Sequence, residues 1–242
     1  MTTHVQNAPD GAASDTRQAI IRRVTQVVGQ MAVIGAMLFL AAGKIDWWWA
    51  WVYIGTQVVI LVFVGLAMIR GGHTDVIVER SKLRSTAKGW DRIIVTLIVL
   101  PGFAQYIIAG LDERWNWPGD ISLLAHWAAL AAFLLGYGLV IWAMMSNPFF
   151  ATLVAIQRER GHHAITSGPY RFVRHPGYVG MIVGNFATCV VLGSLWSLIP
   201  AAAYTALIVV RTALEDRTLQ AELPGYPEYA AKTRYRLLPG VW

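Results

Sequence analysis

The sequence predicts an all-α, polytopic membrane protein of about six spanning helices, the last two forming a carboxy-terminal hairpin. Three observations predict it. The 242 residues are 56% hydrophobic and only 14% charged, with a mean hydropathy of +0.47, too apolar for a soluble domain of this length. Several apolar runs are long enough, at about 1.5 Å per residue, to cross a hydrocarbon core of about 30 Å as helices. Finally, Lys and Arg are concentrated in alternate connecting segments, the signature of a chain that crosses a bilayer repeatedly.

Taken in order, residues 1–20 are small and polar and read as a flexible tail without the features of a cleavable leader. The spans follow at residues 24–43, 47–69, 93–111 and 121–146, with Pro101 bending the third where neighbouring helices can satisfy the freed backbone. The closing hairpin runs over residues 177–210 and turns at Gly193-Ser194. No internal repeat is present, so residues 21–242 form one membrane domain, with its polar chemistry in about residues 147–242.

Charge sets the orientation. Arg17, Arg22 and Arg23 precede the first span; Arg70, Arg80, Lys82, Arg84, Lys88 and Arg92 follow the second; Arg158, Arg160, Arg171 and Arg174 precede the hairpin; and Arg211, Arg217, Lys232, Arg234 and Arg236 follow it. Only Lys44 and Arg114 fall on the other side, so both termini and the polar segments are predicted to be cytoplasmic. Trp47, Trp48, Trp49, Trp51, Trp115 and Trp117 fit an aromatic belt at the outer interface. The net charge of +6 is then topology plus attraction to anionic inner-leaflet lipid, and nucleic acid is excluded as a partner. Cys189 lies in an apolar run and reads as a structural thiol. His126 reads as a packing residue.

Up to Ser146 the spans are generic, and from Asn147 the chain changes. In GPYRFVRHPGYVG (168–180), each residue before a proline is pushed out of the helical region, which predicts extended backbone at Gly168 and His175 and a helix starting at Pro176. The free N–H groups of that helix favour an anion, Gly177 and Gly180 leave room for a ligand to approach, and Arg174 and His175 add donors. On the other arm, Arg211 and Glu215 share a helix face, with Asp216 about 100° round from Glu215. A charge pair at a membrane exit is one reading of these residues. A carboxylate placed against ribose hydroxyls, an ammonium or a sulfonium is the other. His162, His163 and His175 predict no metal site, since adjacent histidines cannot easily share an ion and no cysteine or carboxylate supports them. Gly136-Tyr137-Gly138 reads as close helix packing.

The run HHAITSGPYRFVRHPGYVG, followed by RTALEDRTLQAELPGYPEYAAKTRYRLLPG, resembles the isoprenylcysteine carboxyl methyltransferase and phospholipid methyltransferase group of integral membrane enzymes, over roughly the last 85 residues. The resemblance extends weakly to VERSKLRSTAKGWDR. It implies S-adenosyl-L-methionine bound at the cytoplasmic side of the hairpin without a Rossmann domain, and no G-x-G-x-x-G between a strand and a helix is present. It further implies that His162, Ile165, Gly168, Tyr170, His175, Tyr178 and Glu215 line the cofactor, and that Arg174 and Arg211 act catalytically on the reacting group. The implied acceptor is an amphiphilic, lipid-like molecule reached from the bilayer, and a bacterial-type member would sit in the inner membrane. Asp216 stands where relatives often carry a second glutamate. A sterol-reductase-type NADPH enzyme shares the Arg-His-Pro-x-Tyr-x-Gly string, but usually follows it with an aspartate where this chain has Met181. A non-catalytic lipid- or partner-binding protein is the other alternative.

Overall fold

The computed structural model describes the backbone of residues 9–70 and 87–242, and within these the side chains of residues 21, 24–65 and 87–242. The basic residues Arg80, Lys82 and Arg84, and VERSKLRSTAKGWDR up to residue 86, lie outside the described residues. The described helices are α1 (Pro9–Ala42), α2 (Trp48–Arg70), α3 (Gly89–Trp115), α4 (Leu123–Ser146), α5 (Pro176–Val191), α6 (Leu198–Glu222) and α7 (Tyr226–Lys232), with two 3₁₀ turns at Arg158–Arg160 and Gly168–Arg171. Among the described residues there is no strand.

Local chemistry sets several of these ends. The Ser122 hydroxyl accepts the Ala125 N–H at 3.3 Å and caps α4, and Asn116 ends α3 in the left-handed region. Pro176 is the first residue of α5, as its missing donor and fixed φ dictate. The hairpin turns through Gly193, whose φ of +83° suits only glycine comfortably.

Among the described residues five helices are long and apolar enough to cross a membrane, and α5 is a shorter apolar helix that pairs with α6. The outward surface is apolar, with Leu40, Val59, Leu100 and Leu135 all more than two-thirds exposed. Water would not tolerate such a surface, and lipid does. Inside, α1 packs on α3, α3 on α6, and α5 on both α4 and α6.

Small residues allow the closest of these contacts. A Cβ on Gly110 would lie 2.6 Å from the Ala41 Cβ, and one on Gly180 would lie 2.4 Å from the Gly136 carbonyl oxygen. Gly136 therefore packs helix against helix. Gly180 does the same, so α4 backbone, and not a ligand, occupies the space its missing side chain leaves.

The bundle has two chemically different ends. At one, the turns around residues 43–47, 116–122 and 192–197 meet: Lys44 pairs with Glu113, Trp117 packs edge-on against Trp196, and the His126 ring stacks on Trp49 with Nδ1 3.1 Å from the Val191 carbonyl. His126 is thus a packing residue. Trp48, Trp51 and Trp115 are exposed there as an interfacial belt requires, but Trp47 is 3% exposed and belongs to the helix core. The opposite end carries the start of α3, the segment 147–175, the end of α6 and the tail, with most of the arginines.

Candidate functional site

At that second end a cavity opens between the strap 147–165, the first turn of α5, the last third of α6 and α7. Its walls are aromatic and aliphatic: Phe149, Phe150 and Leu153 from the strap, Tyr170 and Tyr178 around the α5 start, and Leu219, Leu223 and Tyr226 beyond Glu215. Gly177 is also in the lining, where a Cβ would meet the Phe150 ring at 2.9 Å.

Asp216 explains why the loop before α5 and the tail close this space. It is fully buried and accepts hydrogen bonds from Arg174 Nε (2.7 Å) and Nη2 (3.0 Å), Arg236 Nε (2.8 Å), Gln220 (2.8 Å) and the Tyr226 hydroxyl (3.0 Å). His175 Nε2 lies 3.4 Å from the same carboxylate. The Arg174 and His175 N–H groups also donate to the Tyr235 and Arg236 carbonyls, tying the α5 entry to the tail. Arg174 Nη1 donates to the Thr233 and Arg234 carbonyls at 2.9 Å, so each of its three nitrogens has a partner. Arg174 borders the cavity, but its guanidinium braces the tail.

Glu215 differs from its neighbour. It lines the cavity, is half-buried, and receives one hydrogen bond, from the Tyr178 hydroxyl to Oε2. Among the described residues it has no ion-pair partner. One carboxylate of the adjacent pair is therefore consumed by structure, and the other faces an aromatic space without a direct ion pair among the described residues.

The strap adds further groups. Asn147 donates to the Tyr170 hydroxyl at 3.3 Å while its Oδ1 caps the Phe149 N–H at 2.8 Å. The Tyr170 hydroxyl reaches the Ala143 carbonyl at 3.3 Å, and burial pushes its pKa up to about 12. His162 Nδ1 accepts the Gln157 N–H at 3.3 Å, so the neutral ring carries its proton on Nε2. Burial first, then His163 and Arg160, lower its pKa to about 4.

Of the residues singled out from the sequence, His162, Ile165, Tyr170, Arg174, His175, Tyr178 and Glu215 line this one cavity. Two do not. Gly168 lies behind it, and its backbone is not extended: φ is +60°, opening the 3₁₀ turn, because glycine before proline escapes the restriction a Cβ imposes. A Cβ there would lie 2.3 Å from the Ser146 Oγ, so the residue seats the Tyr170 turn on α4. Arg211 is also outside the lining, with its guanidinium 5.4 Å from the Tyr178 ring centroid and bonded through Nε (2.7 Å) and Nη2 (3.1 Å) to Asp91. Sequence reasoning missed Asp91. The available signal was an acidic residue at the foot of a spanning helix, which must find a cation.

Residues 128–221, running from within α4 through the strap to the end of α6, match the isoprenylcysteine carboxyl methyltransferase family model. Over that segment the chain is similar to this family. The protein-S-isoprenylcysteine O-methyltransferase of Schizosaccharomyces pombe is 37% identical over 71 residues, 29% of this chain and 30% of that protein. The Delta(14)-sterol reductase of Mus musculus is 34% identical over 101 residues, 40% of this chain and 24% of that protein. The chain thus spans less than a third of the length of either relative.

The donor set fits the methyl donor that such a family uses. S-Adenosylmethionine presents a cationic sulfonium, an aromatic base and ribose hydroxyls. The cavity offers the Glu215 carboxylate, held by one hydrogen bond, π faces at Tyr178, Tyr170 and Phe149, and apolar walls at Ile165, Leu219 and Leu223. Among the described residues no cluster of His, Cys, Asp and Glu is arranged to hold a metal ion.

Proposed function

We propose that this protein is an integral membrane methyltransferase that uses S-adenosylmethionine and methylates an anionic oxygen, a carboxylate, on an amphiphilic acceptor entering from the bilayer. The observation that carries the reading is Glu215: a half-buried carboxylate with no direct ion pair among the described residues, in an aromatic cavity, with an arginine one turn away on the same helix. Positive-inside charge supports a cytoplasmic location for the site and both termini, with six crossings if α5 and α6 act as a spanning hairpin.

When bound, the cofactor supplies an electrophilic methyl group; with a carboxylate acceptor a C–O bond forms as the C–S bond breaks, and no proton is transferred. The protein's task is then alignment and exclusion of water. Glu215, held by Tyr178, anchors the ammonium end of the cofactor, a group S-adenosylhomocysteine shares. His162, Ile165, Tyr170 and His175 shape its bed, and Gly168 supports the turn that carries Tyr170. Arg211 faces the acceptor anion. Arg174 acts through Asp216, keeping the tail and the start of α5 in place.

The test is transfer of labelled methyl from S-adenosylmethionine into lipid-extractable material by membranes containing the protein. A base-labile methyl product, lost in Glu215→Gln, is expected. Label that is stable to base, or no difference between parent and variant, would contradict the reading. The match to a sterol reductase favours one alternative, an NADPH-dependent membrane reductase, for which the same cavity would bind a dinucleotide.

A further inference from the structure

Asp91 lies at the foot of α3, outside the matched segment 128–221, and is fully buried. Its Oδ1 and Oδ2 receive Arg211 Nε and Nη2, and Oδ2 also accepts the Val154 N–H at 2.8 Å. Arg211 Nη2 donates again, to the Thr152 carbonyl at 2.7 Å. These bonds account for two of the three guanidinium nitrogens. Nη1 has no hydrogen-bond partner among the described residues, yet it is not sealed from its surroundings, because no buried side-chain nitrogen is left unsatisfied.

A bidentate carboxylate on the Nε–Nη2 edge fixes the plane of the guanidinium and hence the direction of the remaining donor. The guanidinium carbon lies over the Tyr178 ring, 5.4 Å from its centroid, and the hydroxyl of that ring holds Glu215. Arg211 and Glu215 are one helical turn apart, about 5.4 Å along the axis. A fixed cation and a free carboxylate at that spacing place an anionic acceptor next to a cationic donor. Stability alone does not require this arrangement, since a buried ion pair seldom outperforms apolar residues of the same shape.

We infer that Asp91 is a positioning residue for acceptor recognition, holding Arg211 by two nitrogens so that Nη1 alone is presented to a carboxylate beside Tyr178. The inference rests on reading the cavity as a methyl-transfer site. The same node holds the backbone on both sides of Leu153, which lines the cavity, so an apolar wall and the anion donor share one anchor.

The experiment uses the full chain in detergent and has two arms. Calorimetric titration with S-adenosylhomocysteine comes first. N-acetyl-S-farnesylcysteine and its methyl ester are then titrated in the presence of saturating S-adenosylhomocysteine. The parent is expected to prefer the acid over the ester by about tenfold or more. Asp91→Asn should reduce that preference to about threefold or less while leaving S-adenosylhomocysteine affinity within about threefold, Asp91→Glu should restore part of it, and Asp91→Asn should add nothing to Arg211→Ala. Lys88→Met, which breaks only the nearby Glu222 pair, should keep the full preference.

Full acid preference in Asp91→Asn would overturn the inference, as would equal loss of all three ligands, which marks a merely structural residue. A parent that binds S-adenosylhomocysteine without discriminating acid from ester would overturn it while leaving the methyltransferase reading intact. A parent that does not bind S-adenosylhomocysteine fails in the first arm and removes both.

Discussion

Replacing Asp216 is the most informative structural perturbation. The carboxylate is 0% exposed and joins α6, α7, the tail and the start of α5 through Arg174, Arg236, Gln220, Tyr226 and His175. Asp216→Ala leaves the Arg174 guanidinium buried with only the Thr233, Arg234 and Ala230 carbonyls. Removing one partner of a buried charge pair costs about 3–5 kcal/mol. At about 2–4 °C per kcal/mol for a chain of this size, Tm should fall by about 6–20 °C. Asp216→Asn keeps the shape and one acceptor oxygen, and should fall by roughly half as much. Cys189, the single cysteine and fully buried, supplies the assay: its reaction with a thiol-sensitive dye during heating in detergent reports loss of the bundle. A Tm within about 2 °C of the parent for Asp216→Ala would refute the claim that this carboxylate holds the site end together.

Gly180→Ala places a Cβ 2.4 Å from the Gly136 carbonyl oxygen and should cost about 1–3 kcal/mol by the same dye assay, whereas Gly138→Ala, with open space around its Cβ, should be neutral or mildly stabilising. Gly168→Ala combines a left-handed φ with a 2.3 Å approach to Ser146 and should destabilise by at least about 1 kcal/mol. The His162 pKa lies below the ordinary 6.5, near 4, so on acidification an unfolded chain takes up the proton first. Its contribution to stability is therefore complete above about 6.5 and is lost as pH falls toward 4. S-Adenosylhomocysteine affinity should be flat from about pH 8 to 5 and decline only as pH nears 4, where the folded His162 takes up its proton, and His162→Asn should flatten that decline in a calorimetric pH series.

Helix positions were legible because apolar runs in a membrane protein are long and their ends carry local chemistry. Ser122, Pro176 and Gly193 each act within a turn of themselves. Residues that a local string carries, in the strap and at the α5 start, meet around one cavity. What could not be read were pairings across the chain. Arg211 meets Asp91 over 120 positions and Arg174 meets Asp216 over 42, with no periodicity linking them. Neither true partner was therefore legible in the sequence. The same limit applies to Gly180, whose partner is Gly136 on another helix, and to Trp47, which the core takes from a run of tryptophans otherwise suited to the interface.

The measurement that bears most directly on the central claim is titration of the purified protein with S-adenosylhomocysteine and, separately, NADPH, each repeated on Glu215→Gln. Binding of S-adenosylhomocysteine alone is expected, weakened about 10- to 100-fold in the variant by loss of a charge-assisted contact of about 1.5–3 kcal/mol. Binding of NADPH in its place, or S-adenosylhomocysteine affinity indifferent to Glu215, would contradict the assignment of this cavity to methyl transfer.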